Sequence, residues 1–570
     1  MKSFPTQAGP RAIVGAALVI LAFAVAVPMV WKRPTIEPGS SSSAPSGESA
    51  PPVVGPPSHA RVFRFYQESP TTLDPALAAD AYSSTVVAQI YSPLVGLTSN
   101  LEPTPQVADS WTISRDGKTY VFHIREGVRF HNGRDVTAQD FVYTLTRCFQ
   151  EPFRSEGLAA GYLDAIDGVP EFLAGKATSI RGIRALDEKH LEIKLSRPYR
   201  PLLSALALDQ TSVVPRELMD RHGNAILEVN PTGCGPFKYV RRDDRSVVLA
   251  ANPDYFMGAP AIDSLVFFTP PGDVISQGAN ALLDGRATLS TLPIDRVEEF
   301  RARAGITMLR WQDLTLAFLG MNATIPPLDD RRVRQAIALA VDRQAMIRSQ
   351  PEGKTLATGI LAPGVPGYSP ATRTYPCDVA QAKALLHQAG YGPGHPLPTL
   401  LLYKSATSNA GVRALDSLLV RSLAEAGIKV EIQYVTWKVL DDAITGRKAQ
   451  LFSLSWVADI PDPDTFLRAL FYSSSSTNYF KYRNATVDSL LDAARSADDP
   501  KIAQAAYQSA EERILRDAPF VPLFHPTNFI GLRSNVVGLQ MNPLGISTLA
   551  MEKLRFAEPN ADGDTRSATR

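Results

Sequence analysis

Residues 455–467 read SWVADIPDPDTFL. Trp456 stands three positions before Asp459, and Asp462 and Asp464 follow among prolines. The preceding residues, Leu451-Phe452-Ser453-Leu454, have the character of the end of a buried strand. Carboxylates at such a place can do one of two things. They can form a solvated loop, since Asp and Pro are ordinary turn residues. Or they can form a pocket wall, in which Trp456 gives an apolar floor and Asp459 meets a cation. Residue types alone leave both open.

Other chemistry-bearing patterns are scarce. There is no HExxH, no GxSxG and no Walker lysine, and the eight histidines are scattered without a pair at helical ligand spacing. Gly233-Cys234-Gly235 starts like a phosphate-binding GxGxxG, but Pro236 and Phe237 follow, so a tight backbone turn beside apolar residues is expected. Asp243-Asp244 and Asp329-Asp330 fit turns or helix starts better than an acid–base pair. With no nucleophile, metal or phosphate motif, neither an enzyme nor a cofactor is expected. The three cysteines, Cys148, Cys234 and Cys377, lie far apart in sequence, with no paired spacing that reads as a structural metal site or a disulfide framework, and the sequence leaves their disulfide state open.

The elements that must hold such a site are mixed. Asp116-Gly117 is a hairpin turn, and beyond it Tyr120, Phe122 and Ile124 alternate with Val121, His123 and Arg125, as a half-buried strand requires. After the Asn132-Gly133 turn, Thr137 is placed to cap a helix with Asp140 at its third position. Val62, Phe63 and Phe65 suggest an opening strand, with short apolar runs at 265–268, 400–403 and 429–434. Helices are expected at 330–347, 378–389, 410–426, 486–494 and 502–517. Strands and helices alternating irregularly give an α/β architecture with mixed sheets.

A chain of 570 residues exceeds one simple core, so two or three compact units are expected. The net charge of +1 and the absence of long basic runs argue against a nucleic-acid partner. Ala12 to Val30 is an uncharged apolar run between Lys2 and Arg11 on one side and Lys32 and Arg33 on the other. Its length suits an uncleaved membrane anchor better than a secretory h-region of about 7–15 residues. Ala24-Val25-Ala26 offers signal cleavage as the alternative. Residues 34–60, rich in Pro, Ser and Gly, read as a disordered tether, which as a flexible coil spans roughly 25–30 Å. The tail 558–570 is polar.

Five segments in order carry a resemblance: VADSWTISRDGKTYVFHIREGVRFHNGRDVTAQDFVYTLTR, PTGCGPFKYV at 231–240, NPDYF at 252–256, DDRRVRQAIALAVDRQAMI at 329–347 and AEERILRDAPFVPLFHP at 510–526. Together they resemble the family 5 extracellular solute-binding proteins of ABC transporters, the oligopeptide, dipeptide and nickel-binding group. The family more often has threonine where this chain has Cys234.

The resemblance implies a two-lobed, periplasmic-binding-protein-like α/β fold with mixed sheets, an extra subdomain and a central ligand cleft. After an anchor or signal at 1–33 and the linker 34–60, it divides the body into lobe I at 61–96, 186–270 and 531–557, a subdomain at 97–185, and lobe II at 271–530. It implies capture of a peptide or peptide-like solute outside the cytoplasm and delivery to ABC permease subunits with their ATPase, by a monomer. Asp459 would meet a peptide's α-ammonium, with Trp456 lining the cleft. Asp80 and Tyr82 follow the Leu73-Asp74-Pro75 turn, where the family places cleft residues, and Tyr162 lies where it often places an aromatic. Ser453 stands where some oligopeptide binders carry a base for a peptide carboxylate. The same fold also serves nickel-chelate, haem and oligosaccharide binders, and the anchor and tether suit a membrane-tethered sensory or chaperone-like protein.

Overall fold

The computed structural model describes residues 61–557 other than 351, 373, 407–409, 447 and 498. The apolar run Ala12–Val30, the linker 34–60 and the tail 558–570 lie outside the described residues. One strand, Phe520–Arg533, ties the body together. Its first half pairs with Thr315–Met321 and Lys354–Leu356, and its second half with Ile306–Gln312 and Leu289–Thr291. Two sheet halves therefore share a single strand, giving a mixed α/β body of two lobes.

In one half, Val62–Tyr66 lies parallel to Ser264–Phe268, and Ser246–Ala251 and Phe237–Arg242 continue antiparallel. In the other, Leu400–Ser405 runs parallel to both Val430–Val435 and Leu451–Val457, while Leu451–Val457 runs antiparallel to Thr315–Met321. All seven residues of Thr315–Met321 are buried, as a central strand covered on both faces demands. Its period of two sends Leu316 and Phe318 into one apolar cluster and Leu319 and Met321 into another. Each such side chain, fully buried, contributes about 1.5–3 kcal/mol. Gly320 is required there because the Phe452 ring occupies the space of a Cβ.

A separate four-stranded sheet joins Ala108–Ile113, Thr119–Ile124, His190–Lys194 and Ile183–Ala185. The expected alternation holds: Tyr120, Phe122 and Ile124 are buried, and His123 on the other face meets Asp109 at 2.8 Å. The helix Ala138–Arg147 packs beside this sheet, and the Asp140 carboxylate accepts from the Thr137 backbone N–H and hydroxyl at 2.9 Å each. Arg147 reaches out of that unit to a buried ion pair with Asp74, in the turn that precedes the helix Ala81–Ile90. Gly233 and Gly235 pack their backbones on Ile90, which leaves no room for a side chain. Cys234 between them is buried in the apolar cluster of the four-stranded unit.

Three expectations shift. The helix expected over 330–347 is two helices, Arg331–Ala340 and Arg343–Ser349, because Val341 turns extended and Asp342 caps a new start. The strands Leu289–Thr291 and Ile306–Gln312, expected in the second lobe, hydrogen-bond within the sheet half that begins at Val62. Likewise His190–Lys194 belongs to the four-stranded sheet, beyond the boundary expected at Ala185.

Candidate functional site

The shared strand and the turn at Asp313-Leu314 form the floor of a cavity of about 1180 Å³ between the two halves. Such a volume exceeds the roughly 300–1,000 Å³ common for small-molecule pockets. One wall is the C-terminal end of Leu451–Val457. There the backbone N–H of Ala458 donates to Leu314 at 2.9 Å, and Asp459 follows immediately on the cavity surface. Asp459 is half-buried and accepts a 2.7 Å hydrogen bond from the Tyr162 hydroxyl, 297 residues away in sequence. Among the described residues no cation pairs with it. Burial pushes its carboxyl up to about 6, against the opposing pull of the Tyr162 hydrogen bond.

The sequence placed Trp456 beside Asp459 as cleft lining, and the structure corrects this. Ser453, Ser455 and Val457 line the cavity, whereas Trp456 shares the opposite face of the strand with Phe452. Its indole is 6% exposed and donates to the Thr465 carbonyl at 2.7 Å. The pleat decides: neighbours along a strand point to opposite faces. Tyr162 does not line the cavity either; it packs on the apolar cluster of the four-stranded unit and acts on the wall through Asp459. Burial and the adjacent Asp459 carboxylate hold its phenol well above the usual range.

Asp462 and Asp464 behave as turn and helix-start residues. Asp462 accepts from the Asp464 backbone N–H at 2.9 Å, and Asp464 opens the helix Asp464–Phe471. Asp464 also meets Arg495 at 3.2 Å; Arg495 reaches Asp164 at 3.4 Å and lies over the Tyr199 ring at 4.6 Å. This second cross-chain contact joins the four-stranded unit to the same region as the Tyr162–Asp459 bond.

The facing wall is the start of the helix Ala81–Ile90, which brings Asp80 and Tyr82 to the cavity. The Asp80 carboxylate accepts from the Tyr82 and Ser83 backbone N–H groups at 3.0 and 2.9 Å, and from the Thr71 and Ser83 hydroxyls at 2.6 and 2.7 Å. Its lone pairs are taken up by the helix start. Burial, with Glu68 and Asp80 nearby, pushes the Tyr82 phenol up to about 12.

Several cavity groups gave no signal in the sequence. Asp313 on the floor accepts from the Trp311 indole and the Asn528 amide at 2.5 Å each, and burial pushes its carboxyl up to about 6. Lys404 forms an ion pair with buried Asp416. Lys354 hydrogen-bonds Gln350 and stands 5.0 Å over the Phe524 ring; burial first, then Lys404, lowers its ammonium to about 8. These lysines bring positive charge to the cavity, which Ser453 does not. Their convergence depends on strand pairing between segments far apart in sequence, and no local motif announces it.

Known proteins of similar sequence and structure share this fold. Residues 102–478 match the family model of bacterial extracellular solute-binding proteins, family 5, middle region. The probable di/tripeptide-binding protein 5 of Pseudomonas aeruginosa is 32% identical over 461 residues, covering 77% of this chain and 85% of that protein. Heme-binding protein A of Haemophilus influenzae is 28% identical over 498 residues, covering 84% and 89%. Among solved structures, the ABC transporter-associated periplasmic binding protein DppA from Helicobacter pylori, in complex with the peptide STSA, is 27% identical with a TM-score of 0.72, covering 87% of this chain and 98% of that one. A family match over most of the described body, with a two-lobed fold around a cavity, leads to one conclusion: the chain belongs to the bacterial extracellular solute-binding proteins of family 5.

Proposed function

We propose that this protein captures a short peptide or peptide-like cation outside the cytoplasm, in the cavity between its two sheet halves, and delivers it to an ABC permease. The observation that carries the reading is Asp459, a half-buried carboxylate on the cavity wall whose one hydrogen-bond donor among the described residues is a tyrosine hydroxyl. A desolvated carboxylate is compensated by a cation, and a peptide's α-ammonium supplies one with N–H donors. The relatives named for di- and tripeptides and the neighbour bound to a peptide support the same ligand class. The lobes follow the sheet halves, and closure around a solute needs contacts on both, since only differential contact shifts an open–closed equilibrium. Calorimetry with trialanine and N-acetyl-trialanine tests the reading. The free peptide is expected to bind at least about tenfold more tightly, because acetylation removes the charge-assisted bond. Equal binding of both sinks the ammonium assignment.

The run Ala12–Val30 with the linker behind it serves, in this reading, as a membrane tether for the binding body. Fractionation of the full chain against one lacking residues 1–33 tests it. The shorter chain should leave the membrane fraction; if it stays there in high salt, the tether lies elsewhere.

A further inference from the structure

The face of the four-stranded sheet turned away from its apolar cluster carries two histidines that the binding cavity does not use. His123 on Thr119–Ile124 lies directly opposite His190 on His190–Lys194, and their ring centroids are 5.1 Å apart. Each imidazole is held by a carboxylate. The His123 Nδ1 meets Asp109 at 2.8 Å, and the His190 Nδ1 meets both oxygens of Asp187 at 2.9 Å. Asp109 reaches His123 through a β-bulge: the register shifts between Ala108 and Ser110, and the extra residue between them turns its side chain onto the histidine face. Asp187 stands in the loop before the other strand, where it also accepts from the Lys189 and His190 backbone N–H groups at 2.8 Å each.

An ionised carboxylate only accepts, so a neutral imidazole bonded to it carries its proton on Nδ1 and keeps a lone pair on Nε2. Among the described residues neither Nε2 has a hydrogen-bond partner. Metal-bound histidines characteristically donate their other N–H to a carboxylate, which fixes the tautomer and raises the basicity of the ligating nitrogen. The spacing fits as well. Two imidazoles bound to one tetrahedral ion, with metal–nitrogen bonds of about 2.0–2.1 Å, hold their ring centroids roughly 5 Å apart. The neighbouring cations are engaged elsewhere or distant. Arg125 donates to the Gln106 carbonyl at 3.2 Å, Arg184 pairs with Glu192 at 2.5 Å and Lys189 with Glu126 at 3.4 Å, while Lys194 lies at the far end of its strand, opposite Thr119. Among the described residues no third His, Cys, Asp or Glu completes a ligand set, so the remaining positions of an ion here belong to water.

We propose that His123 and His190 chelate one divalent transition-metal ion through their Nε2 atoms, on the outer face of the four-stranded unit. Asp109 and Asp187 orient the rings, and their charge offsets that of the ion. Imidazole nitrogen selects zinc, copper or nickel over calcium and magnesium, which take oxygen ligands. The site stands apart from the peptide reading, since neither histidine lines the cavity. Local spacing gives no sign of it, because the two ligands are far apart in sequence and only the strand register sets them side by side.

Calorimetry of the full chain with zinc chloride tests this, with His123→Asn/His190→Asn as the control for every other metal-binding group. Wild type is expected to take up one zinc equivalent that the double variant lacks. Chelation needs both rings, so each single variant should lose about tenfold or more in affinity, and Asp109→Asn and Asp187→Asn should each weaken zinc by about tenfold. Electron paramagnetic resonance with one equivalent of copper(II) should show two coordinated imidazole nitrogens in wild type and one in each single histidine variant. Zinc uptake that is equal in wild type and the double variant would overturn the site. Single variants that keep wild-type affinity would show the histidines acting separately and overturn the chelate. Carboxylate variants that both keep wild-type affinity would overturn the assignment of Nε2 as the ligating atom. The copper spectrum requires only wild type, and a single imidazole nitrogen there overturns the proposal even if a variant does not fold.

Discussion

Asp80 and Asp459 face the same cavity from opposite walls, one at the start of a helix and the other past the end of a strand. Asp80 accepts four hydrogen bonds, two from the backbone of its own helix. Among the described residues Asp459 accepts one, from a tyrosine in another unit. Chemically they are the same carboxylate. What differs is the supply of local donors: a helix N-terminus offers unpaired N–H groups, whereas a strand end leaving a sheet offers few. A carboxylate at a helix start is consumed by folding; one past a strand end stays available to a ligand.

The sharpest way to break that comparison is Asp459→Asn. It removes a charge-assisted bond and should weaken trialanine by about 2–5 kcal/mol, roughly thirtyfold to several thousandfold. The variant should also bind free and N-acetylated peptide almost alike in calorimetry. An unchanged affinity would make Asp459 another structural carboxylate, and the contrast with Asp80 would vanish.

Acidity gives the next largest effect. Burial holds the Asp459 carboxyl at about 6, above the value near 3.9 of an unfolded chain. The folded state therefore keeps its proton more tightly than the unfolded state. The free protein is most stable, as far as this group matters, below about pH 4, and it loses that contribution as pH rises through about 6. Asp313 and Asp209 act in the same direction, at about 6 and about 7. A ligand ammonium compensates the anion, so affinity should follow its ionised fraction and be about tenfold weaker at pH 5 than at pH 7. Titrations of trialanine across that range check this, and Asp459→Asn should flatten the profile.

For Asp80 the expected loss is of stability instead. Asp80→Ala removes a helix cap and should cost about 0.5–2 kcal/mol in denaturant unfolding, while trialanine affinity changes less than about threefold. A large affinity loss in a folded variant would move Asp80 into the binding site. The smallest effect belongs to Tyr162→Phe. The lost hydroxyl had lowered the Asp459 carboxyl, so the pH midpoint of ligand binding should move upward. A midpoint that stays in place would mean that Tyr162 does not bear on Asp459 in solution.

Much of the scaffold was legible in the sequence because its causes are local. The Asp116-Gly117 turn, the alternation of Tyr120, Phe122 and Ile124, and the Thr137–Asp140 cap each depend on residues a few positions apart. The Asp80 helix start is equally local, yet the sequence offered Asp80 as a ligand contact, because its donors count only once the helix is recognised. Trp456 shows a signal present and missed. It shares parity with Phe452 and Leu454, while Ser453 and Ser455 take the other face, so the strand period already pointed the indole inward.

By itself the sequence determined the family, the mixed α/β class, the turns and caps, and that an acid follows an apolar strand at Asp459. Only the tertiary structure decided which carboxylates stay unspent. Asp459 is reached by Tyr162 across 297 residues, Asp313 by Asn528 across 215, and Lys404 by Asp416 through the packing of a helix on a strand. A carboxylate's environment is set by whatever other segments bring to it, and desolvation and charge act through space, with no regard for order along the chain.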